Sequence, residues 1–126
     1  MADFGFPKDS RLLTSSHFKA VFDSAQYKIS CRHFLMLAID NKVERGRLGM
    51  VIAKKHVSKA IHRNRLKRLI RNSFRNTARN LPGLDVVVLA RKNASELDSL
   101  SLANKLNVLW GDLQAKAAGK LVTLNK

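Results

Sequence analysis

The spacing of hydrophobic and polar positions changes several times along the chain, and each change marks an element. In TSSHFKAVF, Phe18 and Phe22 stand at i, i+4, on one side of a short helix that Thr14 or Ser15 can cap and that ends near Ala25. HFLMLAID (His33 to Asp40) and RLGMVIAK (Arg47 to Lys54) are short apolar runs joined by a polar stretch containing Asn41 and Gly46, which predicts a β-hairpin. Beyond them the period becomes helical. At 100° per residue, Leu66, Leu69, Ile70, Ser73, Phe74 and Thr77 share one sector, whereas Val57, Ala60 and Ile61 project to the opposite side. One regular helix cannot bury both groups. His56 to Ala60 is therefore a turn, followed by a long helix from near Ile61 to near Leu81-Pro82-Gly83.

DVVVLARK (Asp85 to Lys92) is apolar almost throughout, the mark of a central strand covered on both faces. Ser95-Glu96-Leu97-Asp98 reads as a capping box with Asp in the Glu position. It opens a helix with Leu102, Leu106, Leu109, Trp110, Leu113 and Ala117 on one stripe. The order α-β-β-α-β-α implies an α+β sandwich, with helices packed on a sheet of at least three strands. The 126 residues suit a single domain, with 1–10 and 119–126 expected to be loose, although Phe4 and Phe6 could dock the first of these segments.

Charge changes this picture from a fold to a surface. The formal net charge is +15. Between Lys54 and Arg79 stand ten Lys or Arg and no acid, so this segment supplies ten of the fifteen net charges. On the helical wheel, Asn64, Arg68, Arg71 and Arg75 form a strip opposite the Leu66, Leu69, Ile70 and Phe74 side, flanked by Arg65, Lys67 and Arg79. Like charges at i, i+4 cost a bare helix roughly 1 kcal/mol in sum, a repulsion that a phosphate backbone would remove. Arginines outnumber lysines here, and their planar forks pair with phosphate. An ordinary solvated helix face mixes signs; this one does not. Nucleic acid is the expected partner, ahead of a membrane.

Catalytic constellations are lacking. The nine acids are scattered, and Asp40, Glu44, Asp85, Glu96 and Asp98 suit turns, a strand start and a helix N-terminus. His17, His33, His56 and His62 have no metal-ligand spacing. Cys31 is the only cysteine, which excludes an internal disulfide and reads as a small hydrophobe. The first ten residues lack the apolar core of a signal peptide, and no segment approaches the about 18 apolar residues of a membrane span, so a cytoplasmic binder is expected.

RNRLKRLIR, Arg63 to Arg71, resembles the signature of the protein subunit of bacterial ribonuclease P, the ribonucleoprotein that removes 5′ leaders from precursor tRNA. RLLTSSHFKAVF is similar to that family's first helix, GRLGMVIAKKHVSKAIHRNRLKRLIRNSFR to its strand and basic helix, and LPGLDVVVLARKNASELD to its later strand and helix start. The likeness spans roughly residues 11 to 115. It implies a left-handed β-α-β crossover, as in the second domain of a small-subunit ribosomal protein, where general chirality favours the right-handed form. It also implies that the RNA subunit, with bound Mg²⁺, is the catalyst. Lys54, Lys55, Arg63, Asn64, Arg65, Lys67, Arg68, Arg71 and Arg75 would contact that RNA, one protein per RNA.

The family's cleft between first helix and sheet takes the single-stranded leader. Carried over, Phe18, Phe22, Leu35 and Leu37 would line it. Phe18 and Phe22 suit core packing as well as leader contact, and Leu37 stands where some members have tyrosine, so apolar contact replaces stacking there. A structural ribosomal or general RNA-binding protein is the alternative reading, and a stand-alone nuclease a distant third.

Overall fold

The computed structural model describes residues 14–41, 46–77 and 83–122, with side chains up to residue 118. Helix α1 (Ser15–Ser24) starts and stops where the pattern predicts. Thr14 caps it: its hydroxyl accepts from the His17 amide, and the His17 ring Nδ1 accepts in return from the Thr14 amide at 3.1 Å. Strands β1 (Tyr27–Ser30), β2 (Phe34–Asp40) and β3 (Arg47–Val51) follow, then helix α2 (Ala60–Thr77), strand β4 (Leu84–Ala90), a single 3₁₀ turn at Ala94–Glu96 and helix α3 (Ser99–Val122).

The sheet order is β1-β2-β4-β3, so the expected hairpin between His33–Asp40 and Arg47–Lys54 does not form. Strand β4 lies between those runs, antiparallel to β2 and parallel to β3; Leu89 is opposite Leu35 on one side and Val51 on the other. The physical reason is β4 itself. Its residues are buried on both faces, and only an interior position satisfies that. The hairpin partner of β2 is instead β1, a strand that hydrophobic patterning does not reveal: YKIS is four residues long and half polar. Strands β3 and β4 are joined through α2, the β-α-β crossover connection the resemblance implies.

Alternation along the strands assigns the two faces. Phe34, Met36, Ala38, Val86 and Val88 point to α2 and α3, where Leu66, Ile70, Phe74, Leu102, Leu106, Trp110 and Leu113 complete the main core. Trp110 packs its ring against Phe74 with centroids 5.6 Å apart and donates its indole N–H to the Ser73 hydroxyl, so the buried polar atom is satisfied. On the other face, Val21 of α1 packs on Val87, with Phe18, Leu37, Ile39, Val51 and Leu89 around them.

Two ends differ from expectation. The 95–98 segment is not a capping box: Asp98 itself caps α3, accepting from the Ser101 amide at 2.7 Å, and the residues before it form the 3₁₀ turn. A short Asp side chain reaches the third amide of the helix more readily from the cap position than it reaches back from inside. The helix then continues to Val122, through part of the tail expected to be loose. The predictions for residues 1–10, 42–45, 78–82 and 123–126 lie outside the described residues, but Gly83 has φ 80°, the left-handed conformation a glycine supplies before β4.

Candidate nucleic-acid interface

Helix α2 is anchored by Leu66, Ile70, Ser73 and Phe74 and turns its other side to solvent. Asn64, Arg68, Arg71 and Arg75 are exposed on that side, as the wheel predicts, and Lys67 is half-buried at its flank. Arg75 donates to Asn72 Oδ1 at 2.9 Å. The side chains of Asn64, Lys67, Arg68 and Arg71 make no hydrogen bond or ion pair among the described residues. Lys54 and Lys55 are exposed in the turn after β3. The other two candidates behave differently. Arg63 donates to the carbonyls of Val57 and Ser58, and Arg65 to the carbonyls of Ser95 and Leu97 and the hydroxyl of Ser99.

Asp85, buried at the start of β4, accepts a two-point contact from Arg47, 2.7 Å from Nε and 3.1 Å from the terminal nitrogen, and a third bond from Asn41. That network pins the register where the parallel pair begins. At the opposite end of the same strands the chain opens into a groove of about 550 Å³. Its floor is Leu35, Val51 and Leu89, and its rim carries Arg32, Lys55, Arg91 and Lys92, with no carboxylate among the lining residues. Both parallel strands thus run toward the groove and are followed by a cationic pair, Lys54-Lys55 after β3 and Arg91-Lys92 after β4. The carboxyl ends of strands are a common place for ligands in open sheets with parallel strands.

Of the four leader candidates, only Leu35 lines this groove. Leu37 and Phe18 belong to the small cluster under α1, while Phe22 is 45% exposed and stacks on Phe18 at 6.4 Å with planes 19° apart. Phe18 is therefore partly core, and Phe22 an accessible aromatic surface. Sequence reasoning missed Arg32, His56, Arg91 and Lys92. The repeated pattern of an apolar strand followed by two cations was the available signal; their convergence with Arg32 depends on the sheet order.

Two groups titrate away from their ordinary ranges. Burial, with Lys105 and Arg32 nearby, lowers the pKa of His33. The Ser101 amide and hydroxyl hold the Asp98 carboxyl below its usual value, helped by the charge of Arg65. Among the described residues, no three His, Cys, Asp or Glu side chains converge as a cation site, and no helix is long and apolar enough to cross a membrane.

An exposed, acid-free arginine strip and a cation-rimmed apolar groove are each suited to polyanion binding, and comparison with known proteins gives the chain a family. The Ribonuclease P family model matches residues 6–114. A ribonuclease P protein component from Pseudomonas aeruginosa is 48% identical over 110 residues, covering 87% of this chain and 82% of the relative. One from Pseudomonas putida is 44% identical over 125 residues, 99% and 93% of the two chains. Among solved structures, the RNase P protein of Staphylococcus aureus superposes with a TM-score of 0.73 at 27% identity, covering 79% of this chain and 90% of its own. That of Thermotoga maritima gives 0.68 at 32% identity, covering 80% and 96%. With matches that extend from α1 through most of α3, the chain belongs to the bacterial ribonuclease P protein family.

Proposed function

We propose that this chain binds the catalytic RNA of ribonuclease P through α2 and holds the 5′ leader of precursor tRNA against the α1 face of the sheet, while the RNA carries out the hydrolysis. The observation that carries this reading is the cationic strip of α2, whose Arg68 and Arg71 have no protein partner among the described residues. Among the described residues no salt bridge occupies these two groups, so their charge is available to phosphate. Covering phosphates with cations releases condensed counterions and reduces repulsion between RNA segments. The Mg²⁺ of the reaction is placed on the RNA, and the protein lowers the concentration the folded RNA needs.

The leader reading rests on two features of the other face. Phe22 offers an exposed ring on which an unpaired base can stack, and the groove floor of Leu35, Val51 and Leu89 offers apolar contact between rim cations that can meet the backbone. Neither feature reads base edges, which suits leaders of varied sequence. Because mature tRNA lacks the leader, these contacts favour substrate over product. The complex acts in the cytoplasm with one protein per RNA.

The decisive experiment is cleavage of a precursor tRNA by the RNA subunit at low Mg²⁺, with and without the protein, using leaders of increasing length. Stimulation that grows with leader length until the protein surface is filled is expected. Absence of stimulation would overturn the reading, and stimulation independent of leader length would favour a general RNA-binding role.

A further inference from the structure

In Arg63-Asn64-Arg65, only the central residue is fully turned to solvent. Arg63 folds back on the turn that precedes its own helix, donating to Ser58 O at 2.7 Å and Val57 O at 3.1 Å. Arg65 reaches across to the segment leading into α3, where its guanidinium donates to Leu97 O at 3.0 Å, Ser99 Oγ at 3.3 Å and Ser95 O at 3.4 Å. The Asp98 carboxylate lies within the same electrostatic neighbourhood. Two helices that are far apart in sequence are thus joined by one planar fork.

The start of α2 needs such a joint. Lys59, the residue before the helix, has no side-chain oxygen to cap the first amides, and the first turn carries no acid to meet the positive end of the helix dipole. Apolar anchoring is also missing there: Ile61 is 73% exposed, and the first buried residue of the helix is Leu66. Residues 60–65 are held at one end by Arg63, through the carbonyl of buried Val57, and at the other by Arg65.

We infer that Arg65 is a positioning residue, which fixes the rotation of α2 so that Asn64, Arg68 and Arg71 meet the RNA together, and is not itself a phosphate contact. The inference rests on the interface proposed above. A helix's outer surface lies about 5–6 Å from its axis, so a rotation of about 20° moves a surface atom by about 2 Å. Hydrogen bonds to phosphate tolerate only a few tenths of an ångström around about 2.9 Å. Small slack at the first turn therefore misaligns several arginines at once. Lysine cannot replace Arg65 in this role, because one ammonium cannot span three fixed acceptors, although it would serve well as a phosphate contact.

The test is the affinity of the full-length protein for ribonuclease P RNA at several salt concentrations, at temperatures where Trp110 fluorescence shows each variant folded. Arg65→Lys is expected to weaken binding three- to tenfold, although charge is kept. A residue that only stabilised the fold would leave the affinity of the folded protein unchanged. In a background with both Arg68→Ala and Arg71→Ala, Arg65→Lys should cost less than twofold, because the groups it aims are gone. Ser99→Ala, which removes one acceptor and leaves Arg65 in place, should give a weaker effect with the same background dependence. Wild-type affinity of Arg65→Lys, or an equal loss in both backgrounds, would overturn the inference. If the Arg68/Arg71 double variant itself binds RNA like wild type with an unchanged salt slope, the interface reading falls, a result distinct from failure of the clamp alone.

Discussion

The two faces of the sheet are finished differently. On one, α2 and α3 close over Phe34, Met36, Val86 and Val88 with a continuous layer of Leu, Ile, Phe and Trp side chains, most of them without any exposure. On the other, α1 contributes one fully buried residue, Val21, over Val87 at the middle of β4, and leaves the carboxyl ends of β3 and β4 open beside Leu35. A central strand that is apolar on both faces needs cover on both. One short helix covers only its middle. The difference assigns stability chiefly to the closed face, and the function proposed above puts single-strand binding on the open one; the contrast can be broken experimentally.

The largest expected effect belongs to the closed face. Phe74→Ala should destabilise the protein by about 3–5 kcal/mol and Leu106→Ala by about 2–5 kcal/mol, measured by urea unfolding followed through Trp110. Val21→Ala on the open face removes two methyl carbons, worth about 0.8 kcal/mol each, and should cost about 2 kcal/mol. Equal losses at Val21 and Phe74 would show that both faces bear stability alike.

Next in size is the effect of Phe22→Ala on binding. Loss of one base-stacking surface is worth about 1–3 kcal/mol, so preference for precursor over mature tRNA should fall roughly tenfold or more, with a loss of folding stability under about 1 kcal/mol. A large drop in stability with intact preference would make Phe22 a core residue after all. Smaller again is the effect of Arg91→Ala combined with Lys92→Ala. This pair should weaken precursor binding severalfold and reduce its log–log salt slope by about 0.7 for each leader phosphate that no longer meets a cation, with the slope for mature tRNA unchanged.

Local pattern carried a large part of this architecture, and long-range pairing carried the rest. The bounds of α1, the buried stripe of α2 and the central place of β4 follow from capping residues, helical phase and an unbroken apolar run, all of which lie within one segment. The partner of β2 does not. Adjacent runs suggested a hairpin, but the burial demand of β4, more than 40 residues on from the start of β2, decides which edges meet. The exposed strip of α2 was legible because helical geometry alone places Asn64, Arg68, Arg71 and Arg75 on one side. The internal use of Arg63 and Arg65 was not, since their acceptors are chiefly backbone carbonyls, which leave no mark in the residue types; those of Arg65 lie about 30 residues away. The groove was illegible for a related reason: its rim joins the start of β2 to the ends of β3 and β4.

The smallest expected effect lies where the two faces meet. His33, in the β1–β2 turn, is only 7% exposed, and its Nδ1 has no hydrogen-bond partner among the described residues. Its surroundings include Arg32, on the groove rim, and Lys105, on α3. Burial and these cations both disfavour the imidazolium, so the pKa in the folded state lies below 6.5, its ordinary value. In the unfolded chain that penalty is absent. As pH falls through 6.5 the unfolded state takes up a proton before the folded state does, and stability declines until pH passes the lowered folded value. The contribution is thus complete above pH 6.5 and is lost on acidification. Urea unfolding of the wild type and His33→Gln at about pH 7.5 and about pH 5.5, on either side of that value, should show a smaller acid-induced loss in the variant. An equal loss in both would mean that RNA-free His33 is not held neutral by its neighbours, and that the cations of the rim and of α3 are too well solvated to act across the seam.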